Sequence, residues 1–320
     1  MKKVAVKRGI LDFPTSTHKS HTKAIPYLGG LAILIGVVIV SYSALFFSNS
    51  TISNFWLATS VLGPAIAMGL VGLWDDIKNL SPFLRFIAQS ISGIFISIVL
   101  IVNNSIANPT GSMFFDILLT VFWVVGISNS INFFDNLDGG AAGTAAISAI
   151  VITYLAIKND QTFVSALSVV VAGATLGFLV WNKSPAKIYM GDAGALFLGV
   201  LLATLTIRLK PGVETTLGSF SIPVLILAVP ILDTSVAVFS RLRRGASPFQ
   251  GGKDHLSHRL VRFGMSRKLA AVMLWLLSAL FGLFAVVLTF VDKESETFFV
   301  LGFMLLWIIL FFRFFKTPDY

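Results

Sequence analysis

Four short stretches of the chain carry more carboxylates, amides and cations than an apolar sequence needs. In Gly72-Leu73-Trp74-Asp75-Asp76-Ile77-Lys78, two adjacent carboxylates close a hydrophobic run. Charge at the hydrocarbon edge is costly and marks function more often than packing. The plainer alternative is an interfacial helix end, although two acids at a helix C-terminus oppose its dipole. In the stretch Asn129-Ser130-Ile131-Asn132-Phe133-Phe134-Asp135-Asn136-Leu137-Asp138-Gly139-Gly140, helical spacing gives Asn129, Asn132 and Asn136 one face, with Asp135 and Asp138 close to it. The paired glycines then end the helix or let a ligand reach the backbone. A polar cap in a turn needs fewer such side chains.

Around Tyr189-Met190-Gly191-Asp192-Ala193-Gly194, a lone carboxylate stands between glycines at the mouth of an apolar run. It suits a hard cation with oxygen ligands, or equally an N-cap for a helix starting near Ala193. The fourth stretch runs from Arg241 through Gly252-Lys253-Asp254-His255-Leu256-Ser257-His258-Arg259. Anchoring at a membrane surface explains most of its Lys and Arg. The pattern His255-x-x-His258-Arg259 goes further and suits diphosphate oxygens, Arg by its bidentate fork. Two His and Asp254 could begin a zinc site, but no further soft ligand follows. His18 and His21, in a basic N-terminal segment, read as surface residues.

Hard oxygen ligands for Mg²⁺ beside cations for phosphate suit phosphoryl transfer, where positioning and charge neutralisation dominate. No GxxxxGK[ST] loop exists, which argues against an ATP-driven pump. The absence of cysteine excludes disulfides, thiolate metal sites and a cysteine nucleophile.

The elements that must position these groups are membrane helices. Of the 320 residues, 56% are hydrophobic and only 12% charged, with a mean hydropathy of +0.86; a soluble domain carries about 25% charged residues. Apolar runs near the roughly 20 residues that cross a bilayer predict ten spans, over 27–47, 55–74, 83–103, 113–131, 141–157, 162–181, 194–209, 219–239, 269–291 and 297–315. The expected fold is an all-α, polytopic integral membrane bundle, with 1–320 forming a single membrane-embedded domain. Segments 141–157 and 194–209 are short and rich in Ala, Gly and Thr, so they should pack inside the bundle.

Met1-Lys2-Lys3 is no signal peptide, because no apolar run follows until about Tyr27. Alternate loops sort the charges. All but four of the 24 basic residues, Lys158, Arg208, Lys210 and Lys293, fall on one side, with residues 1–26, the 240–268 loop and the C-terminal tail. The positive-inside rule makes that side cytoplasmic, with both termini inside. The formal charge of +9 then reports topology rather than a nucleic-acid partner. Asp75, Asp76, Asp135, Asp138, Asp192, Asp233 and Asp254 share the cytoplasmic side, whereas Asp116, Asp160, Glu214, Asp292, Glu294 and Glu296 scatter outside without a motif. A transporter would place ionisable groups near the midplane, often in internal repeats; neither feature is visible.

At these motifs the sequence resembles the polyprenyl-phosphate N-acetylhexosamine-1-phosphate transferases, including enzymes that move GlcNAc-1-phosphate onto undecaprenyl phosphate. The resemblance runs from about His18 to Leu260. It passes through Pro26-x-x-Gly29-Gly30, Asp75-Asp76, Asn129-x-x-Asn132-x-x-Asp135-x-x-Asp138-Gly139, Gly191-Asp192-x-Gly194 and the His255–Arg259 loop, in the family's order. It implies a multi-pass enzyme of a bacterial plasma membrane that uses Mg²⁺, or Mn²⁺ in its place, to convert a UDP-N-acetylhexosamine and polyprenyl phosphate into polyprenyl-diphosphate sugar and UMP. By the same resemblance Asp192 is the metal-binding acid and Asn132 lies close to that metal. Asp135 and Asp138 contact the uridine and nearby substrate, with Asn129 in the same motif. Tyr189 stacks on uracil and Arg85 faces the phosphates. Asp75 or Asp76 orients or deprotonates the lipid phosphate, and His255, His258 and Arg259 recognise diphosphate and sugar. Relatives are often dimers, so a homodimer is also implied.

The form His-x-x-His-Arg-Leu resembles the GlcNAc-1-phosphate branch; the muramoyl-pentapeptide branch has adjacent histidines followed by an acid. Three positions depart from the pattern. Ser257 stands where many relatives have a third His, Asn136 where a Gly is usual, and Ala195 where a Ser is usual. Relatives also commonly begin with one more span before the His18 segment.

Overall fold

The computed structural model describes residues 1–12, 24–48, 50–102, 110–213, 215–248 and 252–317; His18, His21 and Glu214 lie outside them. The described residues form a helical bundle: α1 (Lys2–Arg8), α2 (Gly29–Phe47), α3 (Ile52–Lys78), α4 (Pro82–Val102), α5 (Met113–Phe134), α6 (Gly140–Lys158), α7 (Thr162–Asn182), α8 (Gly191–Arg208), α9 (Thr216–Ile226), α10 (Ala228–Arg243), α11 (Leu256–Arg262), α12 (Arg267–Leu288) and α13 (Lys293–Phe315). Nine of these are long and apolar enough to cross a membrane. The N-terminal segment adds a feature absent from the all-α expectation. Strand β1 (Leu11–Asp12) pairs antiparallel with β2 (Ile25–Pro26).

Segment 219–239 is not the continuous span expected. It is α9 and α10, bent by 75° at Leu227. Pro230 has no N–H to offer the Ile226 carbonyl one turn earlier. That carbonyl instead accepts from Ser148 Oγ at 2.9 Å, and Ala228 O accepts from Trp307 Nε1 at 3.2 Å. A side chain from a neighbouring helix thus satisfies the carbonyl that Pro230 frees, the condition for breaking a helix at membrane depth.

Helix α8 is the axis of the bundle, buried continuously from Ala193 to Thr206. Helix α6 is also largely interior, as its small residues predict. Helix α13 is peripheral, exposing Phe298, Leu301, Leu305 and Ile309. Glycines let α3 lie directly against α8: a Cβ on Gly72 would come within 2.2 Å of the Asp192 carbonyl oxygen. Helix α3 also runs four residues past the expected end at 74, so Asp75 and Asp76 sit in its final turns. At the opposite end, acids serve helix ends and loops. Asp116 accepts from Thr110 Oγ1 at 2.7 Å, Asp292 caps α13 through the Ser295 N–H at 2.9 Å, and buried Glu296 accepts from Thr215 Oγ1 at the start of α9.

Candidate active site

The site is built on the N-terminus of α8. The first N–H groups of any helix lack intrahelical partners and concentrate partial positive charge. Here a carboxylate from another helix takes them: Asp76 Oδ1 accepts from Asp192 N at 2.9 Å and Oδ2 from Ala193 N at 3.1 Å. Asp192 is therefore not its own helix's cap, and its side chain is released for other work. Gly191 makes this approach feasible. Its φ is +71°, and a Cβ there would lie 2.7 Å from Asp76 Oδ2.

The Asp192 carboxylate accepts from Asn132 Nδ2 at 2.6 Å through Oδ1 and from Arg85 Nη1 at 3.3 Å through Oδ2. The same Arg85 nitrogen lies 2.8 Å from Asp75 Oδ2, whose partner oxygen accepts from Leu80 N at 2.6 Å. Asp75 and Asp192 are within hydrogen-bond reach of each other. Two carboxylates, Asp75 and Asp192, thus share one guanidinium, with Asp76 beside them on the α8 N–H groups, so carboxylates outnumber cations here.

The Asn/Asp stretch supplies the next wall. Asp135 follows the end of α5 and accepts from the Gly191 N–H; burial, then the charges of Asp76 and Asp138, push its carboxyl up to about 7. Asp138 Oδ2 accepts from Ala186 N at 3.1 Å. Buried Asn182, which sequence reasoning passed over, ties this wall to the loop that leads into α8. Its Oδ1 accepts from Gly139 N and its Nδ2 donates to Ile188 O, both at 3.0 Å. An Asn ending an apolar run gives little sign of such a double role. Asn129 is not gathered with these groups. It lies deeper, donating to Gln89 Oε1 and Val125 O, both at 2.8 Å.

The Pro26-x-x-Gly29-Gly30 motif holds the Tyr189–Gly194 loop from the other side. Tyr189 N donates to Pro26 O (2.9 Å), Gly29 N to Tyr189 O (2.9 Å) and Gly30 N to Met190 O (2.8 Å). A Cβ on Gly30 would fall 2.1 Å from Gly194 N. Beside the loop, the Tyr27 and Tyr189 rings stand 6.2 Å apart. Burial, and for Tyr27 the acceptor Asp12, holds both phenols protonated. Asp12 is a second contributor that no motif flagged.

The basic loop is more structural than its composition suggests. Asp254, left unassigned from sequence, accepts from Arg241 Nε and Nη2 (2.9 and 2.8 Å) and from Arg244 (2.9 Å). Asp233 accepts from Leu256 N and contacts His255 Nδ1, each at 2.7 Å. Arg241 Nη2 lies 3.1 Å from His255 Nε2. Arginine only donates, so that Nε2 is an acceptor and Nδ1–H points to Asp233. Arg259, expected to bind phosphate, is fully buried instead. Its guanidinium donates to Asp254 O at 2.8 Å, Phe314 O and Ser240 Oγ at 2.7 Å each, and Thr317 O. Five planar donors suit such carbonyl bridging as well as phosphate, and composition does not separate the two uses.

His258 does reach the cleft. With Leu137, Lys253, Ser257, Arg262 and Arg267 it lines a cavity of about 230 Å³. Burial, and then Arg267 and Arg262 nearby, lower its pKa to about 4, so the ring is neutral at physiological pH. Arg267, whose charge also bears on Tyr189, belongs to this group; at the mouth of a span it reads in sequence as a membrane anchor.

The Arg241–Asp254 pair yields a stability prediction. Burial alone would raise Asp254, but the Arg241 bonds and charge hold it down at about 2. Its contribution is therefore complete above the ordinary carboxylate pKa of about 4 and is lost as pH falls toward 2. Asp254→Asn, which leaves Arg241 buried without its counter-charge, should cost about 3 kcal/mol. Thermal denaturation in detergent would register this as a lower midpoint at pH 7, with the gap to wild type closing in acid.

A membrane bundle whose acids converge on a helix N-terminus beside a cation-lined cavity has the form of an intramembrane enzyme acting on an anionic substrate. The comparisons agree. The profile described as Glycosyl transferase family 4 matches residues 58–210, which contain every site acid from Asp75 to Asp192 but not the basic loop. The chain is 36% identical to the probable undecaprenyl-phosphate N-acetylglucosaminyl 1-phosphate transferase of Bacillus subtilis, across 90% of this chain and 80% of the relative. It is 32% identical to the decaprenyl-phosphate N-acetylglucosaminephosphotransferase of Mycolicibacterium smegmatis, across 85% and 74%. A phospho-N-acetylmuramoyl-pentapeptide-transferase of Streptococcus uberis is 31% identical over a shorter stretch, 66% of each chain. The chain belongs to glycosyl transferase family 4 and is a sugar-phosphate transferase.

Proposed function

We propose that this protein transfers N-acetylglucosamine-1-phosphate from UDP-N-acetylglucosamine to undecaprenyl phosphate or a similar polyprenyl phosphate, at the cytoplasmic face of the plasma membrane. An oxygen of the lipid phosphate bonds to the sugar-bearing phosphorus, and the bond from that phosphorus to UMP breaks. The observation that carries this reading is the Asp75–Arg85–Asp192–Asn132 cluster at the α8 N-terminus. The surrounding motifs and the named activities of the full-length relatives support it.

The donor set fits Mg²⁺, with Mn²⁺ as the alternative. Among the described residues no three His, Cys, Asp or Glu side chains are arranged as a metal cage. Mg²⁺ is commonly held by one or two carboxylates plus substrate phosphates. Asp192 and the Oδ1 of Asn132 are the residues that would hold it, and excess carboxylate charge favours a cation there. When bound, the ion would neutralise charge on the diphosphate. Asp76 positions the Gly191–Asp192 turn. Asp75, sharing Arg85 with Asp192, is the member of the pair suited to orient or deprotonate the lipid phosphate. Tyr189, Asp135 and Asp138 take the uridine side, and His258, Lys253 and Arg267 the diphosphate and sugar.

Purified protein with Mg²⁺, UDP-N-acetylglucosamine and undecaprenyl phosphate should release UMP, whereas UDP-N-acetylmuramoyl-pentapeptide should not. Absence of UMP with any UDP-amino sugar would overturn the proposal. Release with the muramoyl donor alone would move the chain to the other branch.

A further inference from the structure

Ser257, on α11, lines the cation-lined cavity, and behind it Asn136, in the Asp135–Asp138 turn, takes its hydroxyl. Ser257 Oγ donates to Asn136 Oδ1, while Asn136 Nδ2 donates to Phe133 O at 2.7 Å. The second bond fixes the polarity of the first. Flipping the amide would set its oxygen against the Phe133 carbonyl, two acceptors without a proton between them. The serine proton is thus committed to Asn136. A hydroxyl has one proton and two lone pairs, so toward the cavity Ser257 offers only an acceptor. Its neighbours Lys253, Arg262 and Arg267 are donors only. Three cations suit the oxygens of a diphosphate; the neutral groups among them, Ser257 and His258, suit the attached group, and Ser257 can only accept from its N–H or O–H.

We infer that Ser257, with its proton held by Asn136, is a specificity-determining acceptor for the sugar of the nucleotide donor, receiving its acetamido N–H or a ring hydroxyl. This rests on the reading of the donor as a UDP-sugar. Ser257 contacts the ligand, and Asn136 is a positioning residue that sets which way the hydroxyl faces.

The test measures binding of UDP-N-acetylglucosamine, UDP-glucose and UDP by calorimetry, and UMP release in parallel, on the full chain in detergent with Mg²⁺. Ser257→Ala should weaken UDP-N-acetylglucosamine by about 3- to 10-fold, the effect of one neutral hydrogen bond. UDP binding should be unchanged, and KM should rise with kcat nearly constant. Asn136→Leu should act in the same direction, and the double variant should be little worse than either single one, because both act through one acceptor, Ser257 Oγ. Ser257→Thr, which keeps the hydroxyl, should restore discrimination. An equal loss for UDP-glucose assigns a hydroxyl, and a loss confined to the acetamido sugar assigns the N–H. Unchanged sugar-nucleotide affinity, or an equal loss for UDP, would overturn the inference; retained UDP binding shows that the variant is folded. If wild type turns over and Ser257→Ala matches it, this inference fails alone. If wild type neither releases UMP nor prefers the sugar nucleotide over UDP, the proposed function fails first.

Discussion

Asp192→Asn should reduce UMP release by about 100- to 1000-fold, the scale seen when one preorganised electrostatic partner is removed from a reacting centre. The substitution is nearly isosteric, and the Asn132 bond to Oδ1 has an acceptor left to find. What disappears is the charge that Arg85 shares between Asp192 and Asp75. Folding should not suffer, because one acid remains on the guanidinium that two had shared. A thermal midpoint equal to or above that of wild type is expected, as relief of strain at a functional site often gives. Activity lost with stability kept is the signature of a residue at the chemistry. A near-normal rate in this variant would remove Asp192 from the site.

Gly191→Ala should damage both properties. A left-handed backbone costs a non-glycine residue about 1–2 kcal/mol, and here the added methyl also meets the Asp76 carboxylate at 2.7 Å. Asp76 must then retreat from the Asp192 and Ala193 N–H groups, each a charge-assisted bond worth about 1.5–3 kcal/mol. With its turn displaced, Asp192 loses register with Asn132 and Arg85. The expected result is a lower thermal midpoint together with a rate loss of at least about 100-fold, since small misplacements of reacting groups are costly. The clash has a specific partner, which gives a sharper test. In an Asp76→Ala background the same Gly191→Ala change should cost clearly less stability than in wild type. Additive losses would show that Asp76 does not press on Gly191.

Much of the molecule was legible in the sequence because the bilayer imposes a simple rule. Spanning helices must be apolar over a fixed length, so the spans, the interior position of the small-residue helices α6 and α8, and the gathering of Asp75, Asp76, Asp135, Asp138 and Asp192 at one end followed from pattern alone. The break at Leu227 did not. Whether Pro230 bends a span depends on Ser148 donating to the freed Ile226 carbonyl and Trp307 to the Ala228 carbonyl, and both are distant in the chain.

Individual roles depended on tertiary structure for the same reason. Asp75 and Asp76 look equivalent as neighbours, but successive helix positions point about 100° apart. Hence one reaches Arg85 and the other the α8 N-terminus. Asp192 fitted a cap and a cation ligand equally well in sequence, and the structure shows that Asp76 from α3 takes the cap. Arg259 and His258 are adjacent letters of one basic motif, yet one is sealed beneath α13 and the other lines the cavity. Sequence by itself determined which chemical groups reach the membrane edge. Only the packing of separate helices decided which of those groups satisfy one another and which are left for a substrate.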